Sequence, residues 1–513
     1  MKKTSATTLT ILMLLCVVIS VRAQLSPNDA VKSMVRGINM GNTLDPPGEG
    51  EWGNPPVVAS NFDDYKNAGF TCVRLPITWD AHTDTMPPYN INPSWLNRID
   101  TIVNWGLSRG LIIIINAHHE TWLKAAYTSA HKERFDSIWS QIATRFQNKS
   151  DSLLFEVINE PNPLSLANVD DLNARILSIM RKTNPTRIVL FSGNNWSNSA
   201  DLISAAVPQD SLLIGYYHSY DPYPFGLIGT GTYGSSADIN TTIQKFNQVT
   251  SWSSRHNIPV VLSEFGAIDT SDYNSRMCYY GTVVQQALLQ NVPFMAWEDG
   301  GDFGFYNRTH HTWNEIKDIL IHTYKESPNK LSISSYADTS VKIQWHNNTT
   351  DTSSIIVERK FAGGAFAALA TIASTESAFV DTTAARGSSY YYRLSININD
   401  SILAQSYPIM LTVPISTTSV PLANTPYRFH LADNYPNPFN PATTIVFSIP
   451  SRSFVRLKIY DVLGRDVATL LSGELAAGEY SRQWNAAGFS SGVYFYRLEA
   501  GGFISVKKLV LLK

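Results

Sequence analysis

Between about Val35 and Glu298, short apolar runs alternate with amphipathic stretches, and this alternation restricts the fold more than any other feature of the chain. The runs are "MVRGINMGN", "FTCVRLPITW", "LIIIINAHHE", "LLFEVINEPN", "RIVLFSGNNW", "LLIGYYHSYDPY", "PVVLSEFGA" and "PFMAWEDGG". None alternates strictly between apolar and polar residues, as expected of strands covered on both faces. The stretches between them carry helical spacing. In "KERFDSIWSQIATRF", Phe135, Ile138, Trp139, Ile142 and Phe146 share one face. In "PSWLNRIDTIVNWGLSRG", Leu96, Ile99, Val103 and Leu107 do the same, and Gly110 suits the stop. Eight strand–helix units predict an α/β fold, a (β/α)8 TIM barrel. A doubly wound open sheet has the same count, but no glycine-rich phosphate loop follows the first run. Polar residues also collect at the run ends: Asn39, Arg74, His118, Glu160, Asn194, His218, Glu264 and Trp297. A barrel brings all eight ends to one rim, where active sites of this architecture form.

The rest of the chain divides by composition. Residues 1–23 read as a signal peptide: Lys2 and Lys3, the apolar "LTILMLLCVVIS", then "VRA", with cleavage expected after Ala23. Residues 24–328 make the barrel domain. Residues 329–415 hold short strand patterns such as "VKIQWHNN" and "SSYYYRLSI" between polar turns, which predicts a β-sandwich whose role is spacing. Residues 416–426 are a Ser/Thr/Pro linker, and residues 427–513 are again all β. Two small all-β sandwiches therefore follow the barrel. Charged residues are only 16% of the chain and the net charge is -2, so no nucleic-acid partner is expected. Beyond the signal segment only Cys72 and Cys278 remain, both in apolar surroundings, and two buried free thiols are expected.

The chemistry centres on "LLFEVINEPNP". A carboxylate beside an amide at a strand exit is costly unless it is solvated, paired or used. Glu160 and Glu264 end the fourth and seventh strands, so a barrel sets them facing across its mouth. Glycoside hydrolysis needs such a pair, one group to protonate the leaving oxygen and one to attack or to activate water. Around them, Asn159 can donate to a sugar hydroxyl, and Arg74 can hold a carboxylate ionised. His218 and Tyr220 can donate to carboxylates or sugar oxygens, and Trp297 offers a flat face for a pyranose ring. Burial and the charge of Glu264 are expected to raise the pKa of Glu160 and keep it protonated. Singly, each residue reads as an ordinary surface Glu, structural Arg or core Trp; their convergence on one rim points to a site.

These motifs carry a resemblance. "NEP" and "SEFG", with "RGINMGNTLD", "VRLPITW", "INAHHE", "HSYDPY" and "MAWEDGG", are similar to the endoglucanase branch of glycoside hydrolase family 5, over roughly residues 30 to 325. The resemblance implies a secreted, retaining endo-β-1,4-glucanase, with Glu160 as acid/base and Glu264 as nucleophile. Arg74, His118, Asn159, His218, Tyr220 and Trp297 match the positions lining the family's cleavage subsite. The Pro/Gly-rich loop "GNTLDPPGEGEWGNPP" departs from the family pattern. The middle region loosely resembles a fibronectin type III module. The tail, from "NYPNPFNPATTI" to "KKLVLLK", resembles the C-terminal sorting domain of the type IX secretion system, which implies that machinery as a partner and release or display at the cell surface. A carbohydrate-binding tail is the competing reading, but its aromatics alternate within strands as core residues do.

Other readings stay open. The substrate can be mannan, xyloglucan or mixed-linkage β-glucan, and a non-catalytic glucan-binding surface protein is the alternative of another class. A monomer is expected, with no cofactor and no metal. The histidines of "AHHE" (His118, His119), adjacent on a strand, should point to opposite faces, too far apart for one ion, and with His310 and His311 the helical zinc spacing is absent. Glu298, Asp299 and Asp302 read as a loop bonded to its own backbone. Trp52, Trp79, Trp122 and Trp196 are candidates for further sugar subsites or for packing.

Overall fold

The computed structural model describes residues 24–336, 340–349, 354–399, 402–414, 428–434 and 436–512. The expected signal peptide and the 416–426 linker lie outside these residues. Eight parallel strands close into a barrel: β1 (Arg36–Asn39), β2 (Cys72–Leu75), β3 (Ile112–Asn116), β4 (Leu153–Glu156), β5 (Val189–Phe191), β6 (Leu213–Ser219), β7 (Val260–Phe265) and β8 (Phe294–Ala296). Strand β8 pairs back to β1 through Gly37 and Met295, so no edge is left open.

The lack of alternation in the apolar runs has a direct cause. In β3, Ile112 and Ile114 join one buried cluster with Cys72, Leu154, Ile214 and Met295, whereas Ile113 and Ile115 join a second with the surrounding helices. Successive side chains of a strand point to opposite faces, and here both faces are cores. The short helix Pro27–Ser33 adds Ala30 and Val31 to the first cluster. Helix Ser129–Phe146 buries Phe135, Ile138, Trp139, Ile142 and Phe146, as the spacing predicts. Helix Pro93–Ser108 is rotated from the expected face. It buries Trp95, Ile99, Ile102, Val103 and Gly106, and leaves Leu96 and Leu107 only partly covered. A Cβ on Gly106 would lie 2.3 Å from Ile113 Cδ1, so this glycine sets how closely the helix approaches β3.

The middle module has two sheets. One holds Asn329–Tyr336, Ser340–His346 and Ala378–Asp381; the other is built on Ile355–Phe361 and Ser389–Asn399. It packs on the barrel, because the described residues from 24 to 414 fall in one compact unit with a continuous hydrophobic core. Tyr407 sits where a Cβ on Gly281 of helix Tyr273–Leu289 would stand, 2.4 Å from its ring. Asn274 on that helix exchanges two hydrogen bonds with the backbone of Met410, at 2.9 and 2.7 Å. Asn329 donates to Gln285 at 2.7 Å, and Gln285 donates to the Ser327 carbonyl at 2.9 Å.

The C-terminal unit has its own core of Phe447, Leu457, Ile459, Trp484, Tyr496 and Leu498 between a three-stranded and a four-stranded sheet. Phe439, Phe447, Trp484, Tyr494 and Tyr496 are buried in it, whereas Phe454 is exposed. No helix among the described residues is long and apolar enough to cross a membrane.

Candidate active site

The mouth of the barrel is organised by Arg74. Its guanidinium leaves β2, is fully buried, and uses all five N–H donors. Nε and Nη2 donate to Glu156 at 2.7 and 2.6 Å, Nη1 to Asn39 at 2.9 Å and to Glu264 at 2.6 Å, and Nη2 to Asn159 at 2.8 Å. Burial works against its charge, but Glu156 and Glu264 outweigh burial and hold it firmly protonated. Glu264 Oε1 thus accepts from Arg74, and Oε2 accepts from the Tyr220 hydroxyl at 2.9 Å. Burial raises the Tyr220 hydroxyl well above its usual range, so it remains a donor.

Glu160 stands four residues beyond the end of β4, with backbone φ of 38°. Holding a non-glycine residue in this left-handed region costs on the order of 1 kcal/mol or more, a strain that concentrates at functional sites. Its Oε1 accepts from His218 Nδ1 at 2.8 Å, and the same nitrogen lies 3.6 Å from Glu264 Oε2. One oxygen of each glutamate and a ring nitrogen of His218 all lie within 4.8 Å of one another. The nearest oxygens of the two carboxyl groups therefore lie within 4.8 Å of each other across the mouth.

The electrostatics correct the expectation that Glu160 is raised. Burial does push it up, but the His218 hydrogen bond and charge, with Lys124 and Arg74, outweigh burial and leave Glu160 below the usual carboxylate value. Glu264 is the raised group, chiefly through burial, with Arg74 and His218 opposing. Both oxygens of Glu264 nevertheless receive donors, which suits an ionised carboxylate better than an acid whose own proton lacks an acceptor. The sequence placed His218 at the rim as a donor to carboxylates, but not its pairing with Glu160, which lies 58 residues away in the chain.

His118 lies two residues past β3 and is buried, and burial holds it well below its usual pKa, so it is neutral. Its Nδ1 lies 3.1 Å from the Asn116 amide nitrogen. That nitrogen also donates to Glu156, at 2.9 Å. The Asn116 amide thus faces His118 Nδ1 as a donor. Trp297 follows β8 and stacks on His118 with centroids 5.9 Å apart and planes 10° apart. A Cβ on Gly41 would come 2.7 Å from the Trp297 ring, so only glycine admits the ring there. Asn159 is buried, its oxygen taken by Arg74 and its amide 3.4 Å from His118 Nε2.

Other expectations resolve differently. His118 and His119 do not splay apart, because both lie beyond the strand; their rings meet edge to face at 4.5 Å, with Asp45 alongside. His311 bonds Asp64 at 2.6 Å, away from the mouth, and His310 is exposed. Glu298 is buried against Arg308 at 3.1 Å and accepts from Gly300 N, while Asp299 accepts from Gly301 and Phe303 N, the self-bonded loop expected. Trp79 is core, and Trp122 donates to the buried Glu120 at 2.9 Å. Trp52 and Trp196 are the exposed pair, and Trp52 packs on His119 at 5.6 Å. Cys72 and Cys278 are buried free thiols. Sequence reading passed over Glu156, Asn116 and Lys124; a glutamate inside the apolar run "LLFEV" was the available signal for the first.

A closed barrel with two facing carboxylates at its mouth has the arrangement that glycoside hydrolysis requires. Residues 29–301 match the description "Cellulase (glycosyl hydrolase family 5)", and residues 433–512 match "Secretion system C-terminal sorting domain". The chain belongs to glycosyl hydrolase family 5. It is similar to Endoglucanase H of Acetivibrio thermocellus, 42% identical over 302 residues, which cover 57% of this chain and 33% of that protein. The chain thus spans about a third of that relative's length. Among solved structures, Thermotoga maritima Cel5A with mannotriose is 31% identical, with a TM-score of 0.56 over 58% of this chain and 100% of that one. A tri-modular endo-β-1,4-glucanase from Bacillus licheniformis, 22% identical, shares the fold at a TM-score of 0.65 over 95% of this chain and 100% of that one.

Proposed function

We propose that this protein is a retaining endo-β-1,4-glucanase, with Glu264 as nucleophile and Glu160 as acid/base. The observation that carries the reading is the short separation of the two carboxylates, each held by different donors. Glu264, oriented by Arg74 and Tyr220, attacks the anomeric carbon and forms a glycosyl ester. Glu160 gives its proton to the departing oxygen, then takes one from the water that cleaves the ester. Glu160 Oε1 lies 2.8 Å from His218 Nδ1, which orients the carboxyl group for both proton transfers. His118 and Asn159 hold sugar hydroxyls, and Trp297 carries the ring face.

The name of the Acetivibrio relative supports glucan as substrate, and the mannotriose bound to Thermotoga Cel5A favours mannan as the second candidate. The sorting domain, with the signal peptide expected over residues 1–23, supports export through the type IX machinery, with release or display at the surface. The test is a panel of soluble β-glucans and mannans followed by viscosity and reducing ends. A steep viscosity loss for few new ends is expected on β-1,4-glucan. Binding without any hydrolysis would favour a glucan-binding surface protein instead.

A further inference from the structure

Resting on that reading, we propose that Lys124 is a positioning residue for Glu160: a cation fixed beside the acid/base that sets how firmly it holds its proton. The placement follows from the backbone. Asn159 N–H donates to the Ala117 carbonyl at 2.9 Å, so the chain beyond β3 runs alongside the segment carrying Glu160. The next carbonyl along, that of His118, accepts from Lys124 Nζ at 2.8 Å. The ammonium is therefore tied at the side of the mouth where Glu160 emerges. Arg74 has no donor to spare for Glu160, because its five are taken by Glu156, Glu264, Asn39 and Asn159.

Lys124 has three donors and commits one to His118, leaving a charge free to act on its surroundings. The carboxylates facing it are Glu160, Glu120, Glu264 and Glu156. The cations and histidines sharing the mouth are Arg74, His118, His119 and His218. Burial brings Lys124 down to about 8, so the cation itself fades within the alkaline range. A positive charge beside Glu160 favours the carboxylate, which helps the second step as base and hastens loss of the acid form as pH rises. Lys124 thereby balances the two half-reactions.

The test is the pH profile of kcat/KM for K124M, K124Q and K124R in the full chain on a soluble glucan. Removing the charge should move the alkaline limb upward by about one unit in K124M and K124Q. K124R should keep the wild-type limb. A limb that stays in place or moves downward in the neutral variants overturns the inference, as does failure of both to fold, which would make Lys124 structural. An inactive wild type would instead defeat the proposed function and leave a different signature from an active wild type with an unmoved limb.

Discussion

Arg74 and Arg308 are both buried at the same rim of the barrel, and both bind a buried glutamate, yet only one sits in a candidate active site. Arg308 pairs with Glu298, donates to Thr43 and reaches the Gly41 carbonyl at 3.3 Å, while its Nε has no partner. Glu298 is sealed, its other oxygen bonded to Gly300 N. Arg74 divides its donors between a sealed carboxylate, Glu156, and a second, Glu264, that lies beside Glu160 and His218. Burial raises both Glu264 and Glu298, so a shifted acid does not by itself mark chemistry. What separates the two places is that Glu264 shares His218 with a second carboxylate, Glu160, across the mouth.

The largest effect should come from E264Q, which is expected to lower kcat by about 10⁴-fold or more while binding of glucan persists. E298Q should leave kcat within about tenfold of wild type. Equal losses in the two variants would erase the distinction. The arginines sharpen it further. R74M and R308M should each cost about 3–5 kcal/mol by leaving a buried carboxylate unpaired, read from urea unfolding. Per folded molecule, R308M should keep most of its activity and R74M should lose it. An R74M enzyme with near-normal kcat would show that Glu264 does not depend on Arg74. Y220F removes one hydrogen bond to a charged group and should reduce kcat by about 10- to 100-fold.

The smallest effect is a pH slope. Glu264 is raised in the folded protein, so its ionisation opposes folding, and this penalty grows as pH rises from the unfolded carboxylate value through the folded one. E264Q should therefore gain stability relative to wild type with rising pH across that window and gain nothing below it. Glu160 is lowered, so its contribution is present above the unfolded value and is lost as pH falls through the folded one. E160Q should accordingly lose its stability deficit relative to wild type as the medium is acidified. Thermal melts between pH 3 and 8 check both signs.

The barrel was legible because each strand–helix unit repeats the same pattern, and because strand ends converge wherever such units close. Glu160 and Glu264 stood out at the ends of their runs. Their proton affinities did not, since these depend on His218, on β6, and on Lys124, on the short helix Thr121–Ala125. The docking of the middle module was hidden for the same reason. Gly281, Asn274 and Gln285 look like ordinary helix residues until Tyr407, Met410 and Asn329 are set against them.

The most direct test of the account is to incubate the protein with a 2-fluoro cellobioside bearing a good leaving group, then measure intact and peptide masses. A single added glycosyl group is expected, on the peptide containing Glu264, with activity lost in step. An enzyme that hydrolyses glucan but never carries the label on Glu264, or whose first product is the α-anomer, would contradict it.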